Sequence, residues 1–150
     1  MSDKRTRGGN RRSCRGDHMI KVEQQVIDRD AGDCFVACVA SILELPLSAV
    51  PSIHTEPAWD AHCRWLNSAN LALVQITHHP GDIAGYAIRS IRSYTFEERS
   101  HAVVTHNGMV VWDPSPNRKD YDDDCYKTWT RHWVLVPIDI TRPIETSKLL

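Results

Sequence analysis

The sequence has no apolar run of the roughly 18 residues that a membrane-spanning helix needs, and its amino terminus lacks the short apolar segment of a secretory signal. A cytoplasmic protein with no membrane contact is expected. CxxC pairs are missing too, and the cysteines are odd in number (Cys14, Cys34, Cys38, Cys63 and Cys125), which argues against a disulfide framework and for reduced thiols. Basic excess is absent: 18 Lys+Arg face 19 Asp+Glu, for a net charge of -1, so the whole chain has no drive toward nucleic acid or acidic surfaces. No glycine loop could cradle a phosphate. Asp120, Asp122, Asp123 and Asp124 lack the spaced oxygen ligands and the glycine of a calcium loop, so they read as a solvated surface.

What remains is the balance of one ordinary globular domain, with 150 residues, 41% hydrophobic and 25% charged. Charge is distributed unevenly. Residues 1–18 hold Lys4, Arg5, Arg7, Arg11, Arg12 and Arg15 against Asp3 and Asp17, leaving 12 basic and 17 acidic residues, or -5, for the rest. We read 1–18 as a disordered basic tail, because it has almost no large apolar side chain to repay the entropy of ordering. Nucleic acid could be engaged only through this tail, whose plainer reading is a solubilising leader, or untranslated sequence if Met19 is the true start.

Alternation of apolar and polar residues predicts a strand over 20–27, a turn at 30–33, and a buried helix over 34–45 stopped by Pro46. A second helix is predicted over 58–70, with Trp59, Cys63, Leu66 and Ala69 or Asn70 on one stripe. Strands follow at 71–77 and 85–94, separated by a turn at 78–82. Three Val-rich segments, 101–105, 109–113 and 132–138, are expected as central strands of an antiparallel sheet, with a polar connection over 117–130 and a carboxy-terminal tail over 139–150. Helices first and strands after make the class α+β.

Cys34 falls at the first turn of the predicted buried helix, where the positive helix end and free backbone N–H groups favour a thiolate and could hold an oxyanion. Cys38, one turn on, reads as a small core residue. A nucleophilic thiol needs a base, and the base an orienting partner. The segment 101–114 offers both as a β-hairpin: a three-residue loop at His106, Asn107 and Gly108 would set His101 opposite Asp113. A two-residue Asn107-Gly108 turn would instead send His101 to the other face. Taken singly, His101 could be a hydrogen-bonded strand histidine and Asp113 an Asp-Pro turn marker. His62, Cys63, His78, His79, Cys34 and Cys38 are potential metal ligands without the short paired spacing of zinc sites. Trp59, Trp65, Trp112, Trp129 and Trp133 could line a groove, although aromatics at helix and strand spacing are more often core.

The stretch GDCFVACVASI at 32–42 resembles the nucleophile helix of the papain-like cysteine peptidases. Among these, the likeness is to bacteriocin-exporter leader peptidases and to small phage proteins that continue like LELPLSAVP at 43–51 and carry a later HAVV (101–104) followed by a DP pair (Asp113, Pro114). The resemblance spans about 22–137, in motifs specific in combination and weak singly. It implies a papain-like α+β domain over 19–138, with the nucleophile helix packed on an antiparallel β-sheet. Cys34 would be the nucleophile, His101 the general base and then acid, Asp113 the orienting group, and Gln25 (or Gln24) the oxyanion-hole glutamine. The implied activity is thiol hydrolysis of a peptide or amide bond in a peptide or protein substrate, with no cofactor. Two alternatives stand beside it: an inactive papain-like module that binds a host or partner protein, and an acyl or amide transferase using the same triad.

Overall fold

In the computed structural model, described for residues 19–77, 83–118 and 131–150, two helices precede and flank one five-stranded antiparallel sheet. The tail 1–18 with Cys14, the turn 78–82 with His78 and His79, and the segment 119–130 with Cys125, Trp129 and the aspartates lie outside the described residues. The elements are α1 (Cys34–Leu43), α2 (Glu56–Ser68), β1 (Leu71–Ile76), β2 (Tyr86–Arg92), β3 (Ser100–His106), β4 (Met109–Trp112) and β5 (Arg131–Pro137). No helix among the described residues is long and apolar enough to cross a membrane.

The sheet order is β1-β5-β2-β3-β4. The last strand therefore inserts between β1 and β2, and β4 is an edge rather than the central strand its valines suggest. Its exposure fits that place, with Met109 71% and Val111 39% accessible. Side chains at Tyr86, Ile88, Ala102, Val104, Trp112, Trp133 and Leu135 alternate onto one face and pack with α1 into the main core. On α1, residues 35–41 are all buried. The helix ends two residues before its expected limit, because Glu44 turns into the left-handed region (φ 56) and Leu45 N–H donates back to Ala40 O at 2.9 Å, after which Pro46 cannot continue it. In α2, Thr55 caps the start through Ala58 N–H at 3.2 Å, and the inward stripe is Trp59, His62, Leu66 and Ala69. His62, fully buried, takes the inward place expected of Cys63.

The predicted strand over 20–27 does not form. The segment runs extended across the end of α1 and β4 and finds partners outside any sheet. Val22 N–H donates to Ser41 Oγ at 3.1 Å, Trp112 Nε1 to Val22 O at 3.0 Å, and Gln24 N–H to Pro114 O at 3.0 Å. Arg118 pairs with Glu23 at 2.7 Å. Alternation reported an extended backbone correctly, but pairing depends on a neighbouring strand edge, which local pattern does not contain.

Residues 139–150, expected as a tail, fold back on α2. Leu149 is buried and its carbonyl accepts from Trp65 Nε1 at 3.3 Å. Asn70, in the left-handed region (φ 65), donates from Nδ2 to Asp139 O and Arg142 O at 2.9 and 3.0 Å and accepts Asp139 N–H at 2.9 Å. One buried amide thereby closes the carboxy terminus onto the sheet.

Candidate active site

Three of the four residues singled out from the sequence come together. Cys34 is the first residue of α1 and is half-buried. Ala37 N–H is the first amide of the helix to reach a carbonyl, Asp33 O at 2.9 Å. The amides of Cys34, Phe35 and Val36 have no acceptor among the described residues, so the helix presents them at the sulfur's own end. Asp33 does not cap the helix. Its carboxylate turns back to accept Gln25 N–H at 3.1 Å and Val26 N–H at 3.0 Å, which fixes the extended segment beside the helix start. Gly32 makes this approach possible, since a Cβ there would lie 2.7 Å from Asp28 O. Gly32→Ala is expected to shift the turn and lower stability by about 1–3 kcal/mol. Chemical denaturation, with the alkylation rate of Cys34 measured beside it, checks this.

His101 and Asp113 are both buried, 6% and 5% accessible, and His101 Nε2 lies 2.7 Å from Asp113 Oδ1. Asp113 Oδ1 also accepts Ser115 N–H at 2.8 Å, which holds the carboxylate in place. Cys34 and His101 line the same cavity, and Cys34 acts on the imidazole to favour its charged form. Burial opposes the charged ring, but the Asp113 carboxylate and Cys34 outweigh it and raise the His101 pKa to about 9. Cys38 is fully buried, and its thiol is pushed well above the ordinary range by burial, then by Cys34 and Asp113.

The expected route to this geometry is corrected. The hairpin loop is the two-residue Asn107-Gly108 turn, with φ 51 and 80, pairing His106 with Met109 and Thr105 with Val110. That register alone would separate the two side chains. A β-bulge intervenes: Val104 pairs with Trp112, so Val111 is an extra residue on β4. The alternation flips there. Val110 joins Ile91 and Val103 on one face, Trp112 joins the α1 core on the other, and Asp113 turns to the side His101 shares with Ile91 and Val103.

Gln25 is not brought to the site. Its side chain is exposed and borders a separate cleft with Asp33, Val36 and Pro46. Gln24 instead lines a small cavity with Cys34, His101 and Ser115, because the anchoring of the Gln25 amide on Asp33 turns the preceding side chain inward. Gln24 Nε2 donates to Val26 O at 3.1 Å, and its Oε1 is buried without a partner among the described residues. A larger cavity of about 510 Å³, which shares Cys34 and His101 with the small one, is lined further by Phe35, Trp59, Trp133 and Arg131, among others. Trp59 and Trp133 thus border the site, while Trp112 lies in the core.

His62 was not foreseen as a structural element of the wall behind the site. Its Nδ1 donates to Pro51 O at 2.9 Å, and it stacks on Trp59 at 6.3 Å with a 12° interplanar angle. Burial lowers its pKa, more than the Pro51 carbonyl raises it. Its place on the α2 stripe next to Trp59 and Trp65 was the available signal. Among the described residues, no three His, Cys, Asp or Glu side chains converge as metal ligands. No family model matches the sequence, and no curated protein matches it.

Proposed function

We propose that this chain is a papain-like thiol hydrolase that cleaves a peptide or amide bond through Cys34, His101 and Asp113. The observation that carries the reading is the buried 2.7 Å contact between His101 Nε2 and Asp113 Oδ1, in a ring that lines one cavity with Cys34 at a helix amino terminus. A neutral acceptor would orient the ring; a buried carboxylate also keeps it charged, and a charged ring beside sulfur favours the thiolate. The Cys34 thiolate attacks the carbonyl carbon, and the free amides at the start of α1, with Gln24 close by, face the developing oxyanion. The His101 imidazolium gives its proton to the departing amine as the C–N bond breaks. Water, deprotonated by His101, then attacks the thioester, and the Cys34 sulfur leaves to regenerate the pair.

Differential alkylation tests this. Iodoacetamide near neutral pH is expected to modify Cys34 faster than Cys38 or Cys63, measured by mass spectrometry of the labelled peptides. Cys38 is sealed in the core, and the Cys63 thiol is pushed up by burial and by Asp60. Equal rates at the three thiols, or selective protection of Cys34, would remove the nucleophile.

A further inference from the structure

The cavity of about 510 Å³ offers more room than the reacting bond requires, and its two ends differ in chemistry. Arg131 and Trp133 are two apart on β5, pair with Ser90 and Ile88 of β2, and both line the cavity. They therefore share one face of the sheet, with backbone origins about 7 Å apart. Trp133 meets Phe35 edge-on at 5.1 Å, and Phe35 meets Trp59 at 6.2 Å, so an aromatic wall begins one residue after the nucleophile.

Charge at the other end has no full compensation among the described residues. Of the two carboxylates on the wall, Asp30 is ion-paired with Arg99. Asp28 Oδ1 accepts the amides of Asp30 and Ala31 in its own turn at 2.8 and 2.7 Å. Arg131 is exposed and has no ion pair or hydrogen bond among the described residues. A guanidinium with no partner among the described residues thus lines a cavity in a body, residues 19–150, that carries -5 overall (12 basic against 17 acidic). Such a local reversal of sign concentrates anions at the cleft.

We infer, resting on the thiol-hydrolase reading, that the cavity selects extended peptides presenting a bulky apolar side chain and a carboxylate two residues apart. The apolar group lies on Trp133, Trp59 and Phe35, and the carboxylate meets Arg131. An extended peptide returns side chains to one face every second residue, about 7 Å apart, which is the Trp133-to-Arg131 interval. An isolated acidic or apolar residue fills only half of this arrangement.

The test uses chloroacetyl peptide amides, in which the Cys34 thiolate displaces chloride and forms a stable thioether. A Phe-Gly-Glu unit is stepped one residue at a time away from the chloroacetyl group, with Phe-Gly-Lys and Gly-Gly-Glu counterparts and with iodoacetamide as the neutral reference. In at least one register, Phe-Gly-Glu is expected to label Cys34 about fivefold faster than Phe-Gly-Lys and roughly tenfold faster than Gly-Gly-Glu. Added salt narrows the first ratio and leaves the second. With each rate divided by the same variant's iodoacetamide rate, Arg131→Glu inverts the Glu/Lys order and Arg131→Gln erases it, while both keep the wild-type melting temperature. Prompt reaction with iodoacetamide but no discrimination in any register, or an unchanged Glu preference in Arg131→Glu, overturns the inference alone. A Cys34 inert to iodoacetamide overturns the hydrolase reading and this one with it.

Discussion

Exchange of His101 for alanine is expected to slow peptide hydrolysis about a thousandfold or more, and exchange of Cys34 for alanine to abolish it. Both losses follow from the proton path. Without the ring there is no group at the sulfur to hold a proton for the departing amine, and without sulfur there is no acyl-enzyme. Cys34→Ala places the best helix former at the first position of α1 and keeps the fold. His101→Ala takes the ring away from the buried Asp113 carboxylate and should cost on the order of 3 kcal/mol. His101→Gln keeps a donor toward Asp113, loses turnover equally, and so separates chemistry from stability. The assay is turnover of a fluorescence-quenched peptide library, with thermal melting beside it.

The same ring sets a pH signature. Its pKa is raised from the ordinary 6.5 to about 9, so the imidazolium persists through neutral pH and is lost as pH climbs through about 9. Hydrolysis is expected to fall across that range, because the acid for the amine is gone, whereas iodoacetamide labelling, which needs only sulfur, does not fall. Stability moves with it: a raised histidine pKa contributes stability fully present below 6.5 and lost as pH rises through about 9. The His101→Gln variant, lacking the group, should show a flatter stability profile across the same window. A wild type whose alkylation and hydrolysis decline together above pH 9 would contradict the assigned proton donor.

For Asp113, alanine and asparagine are expected to differ. Asp113→Ala removes the acceptor of two buried groups, His101 Nε2 and Ser115 N–H. With the carboxylate gone, the burial that already opposes the charged ring has less against it, and the His101 pKa drops. Once the ring's pKa drops below the working pH, each further unit removes about a factor of ten of the charged form, and alkylation of Cys34 at neutral pH should fall by about tenfold or more. Asp113→Asn keeps an oxygen for both donors but not the charge, so its stability stays closer to wild type while its alkylation rate still declines. Rates of iodoacetamide labelling between pH 5 and 9 for the three proteins check this. Equal rates in all three would mean that the 2.7 Å contact holds the sheet together and has no bearing on sulfur.

Local chemistry left clear marks in the sequence. Apolar residues at helical spacing behind Gly32 and Asp33, with Pro46 beyond, were enough to place the start of α1 at Cys34, because turn, helix entry and helix stop are governed by nearest neighbours. The strand segments were legible for the same reason, and so were Cys34, His101 and Asp113 as a set. What the tertiary structure decided is how those pieces meet. The insertion of β5 between β1 and β2 and the demotion of β4 to an edge depend on pairings between residues far apart in the chain. The unpaired run at 20–27, the inward Gln24 in place of Gln25, and His62 in the wall follow from partners such as Pro114, Asp33 and Pro51 that no local period announces. The bulge at Val111 is the sharpest case. Asn107-Gly108 dictated a two-residue turn through its left-handed backbone, yet the face on which Asp113 emerges was fixed two pairs later, where packing Trp112 into the core required one residue more than the ladder could pair.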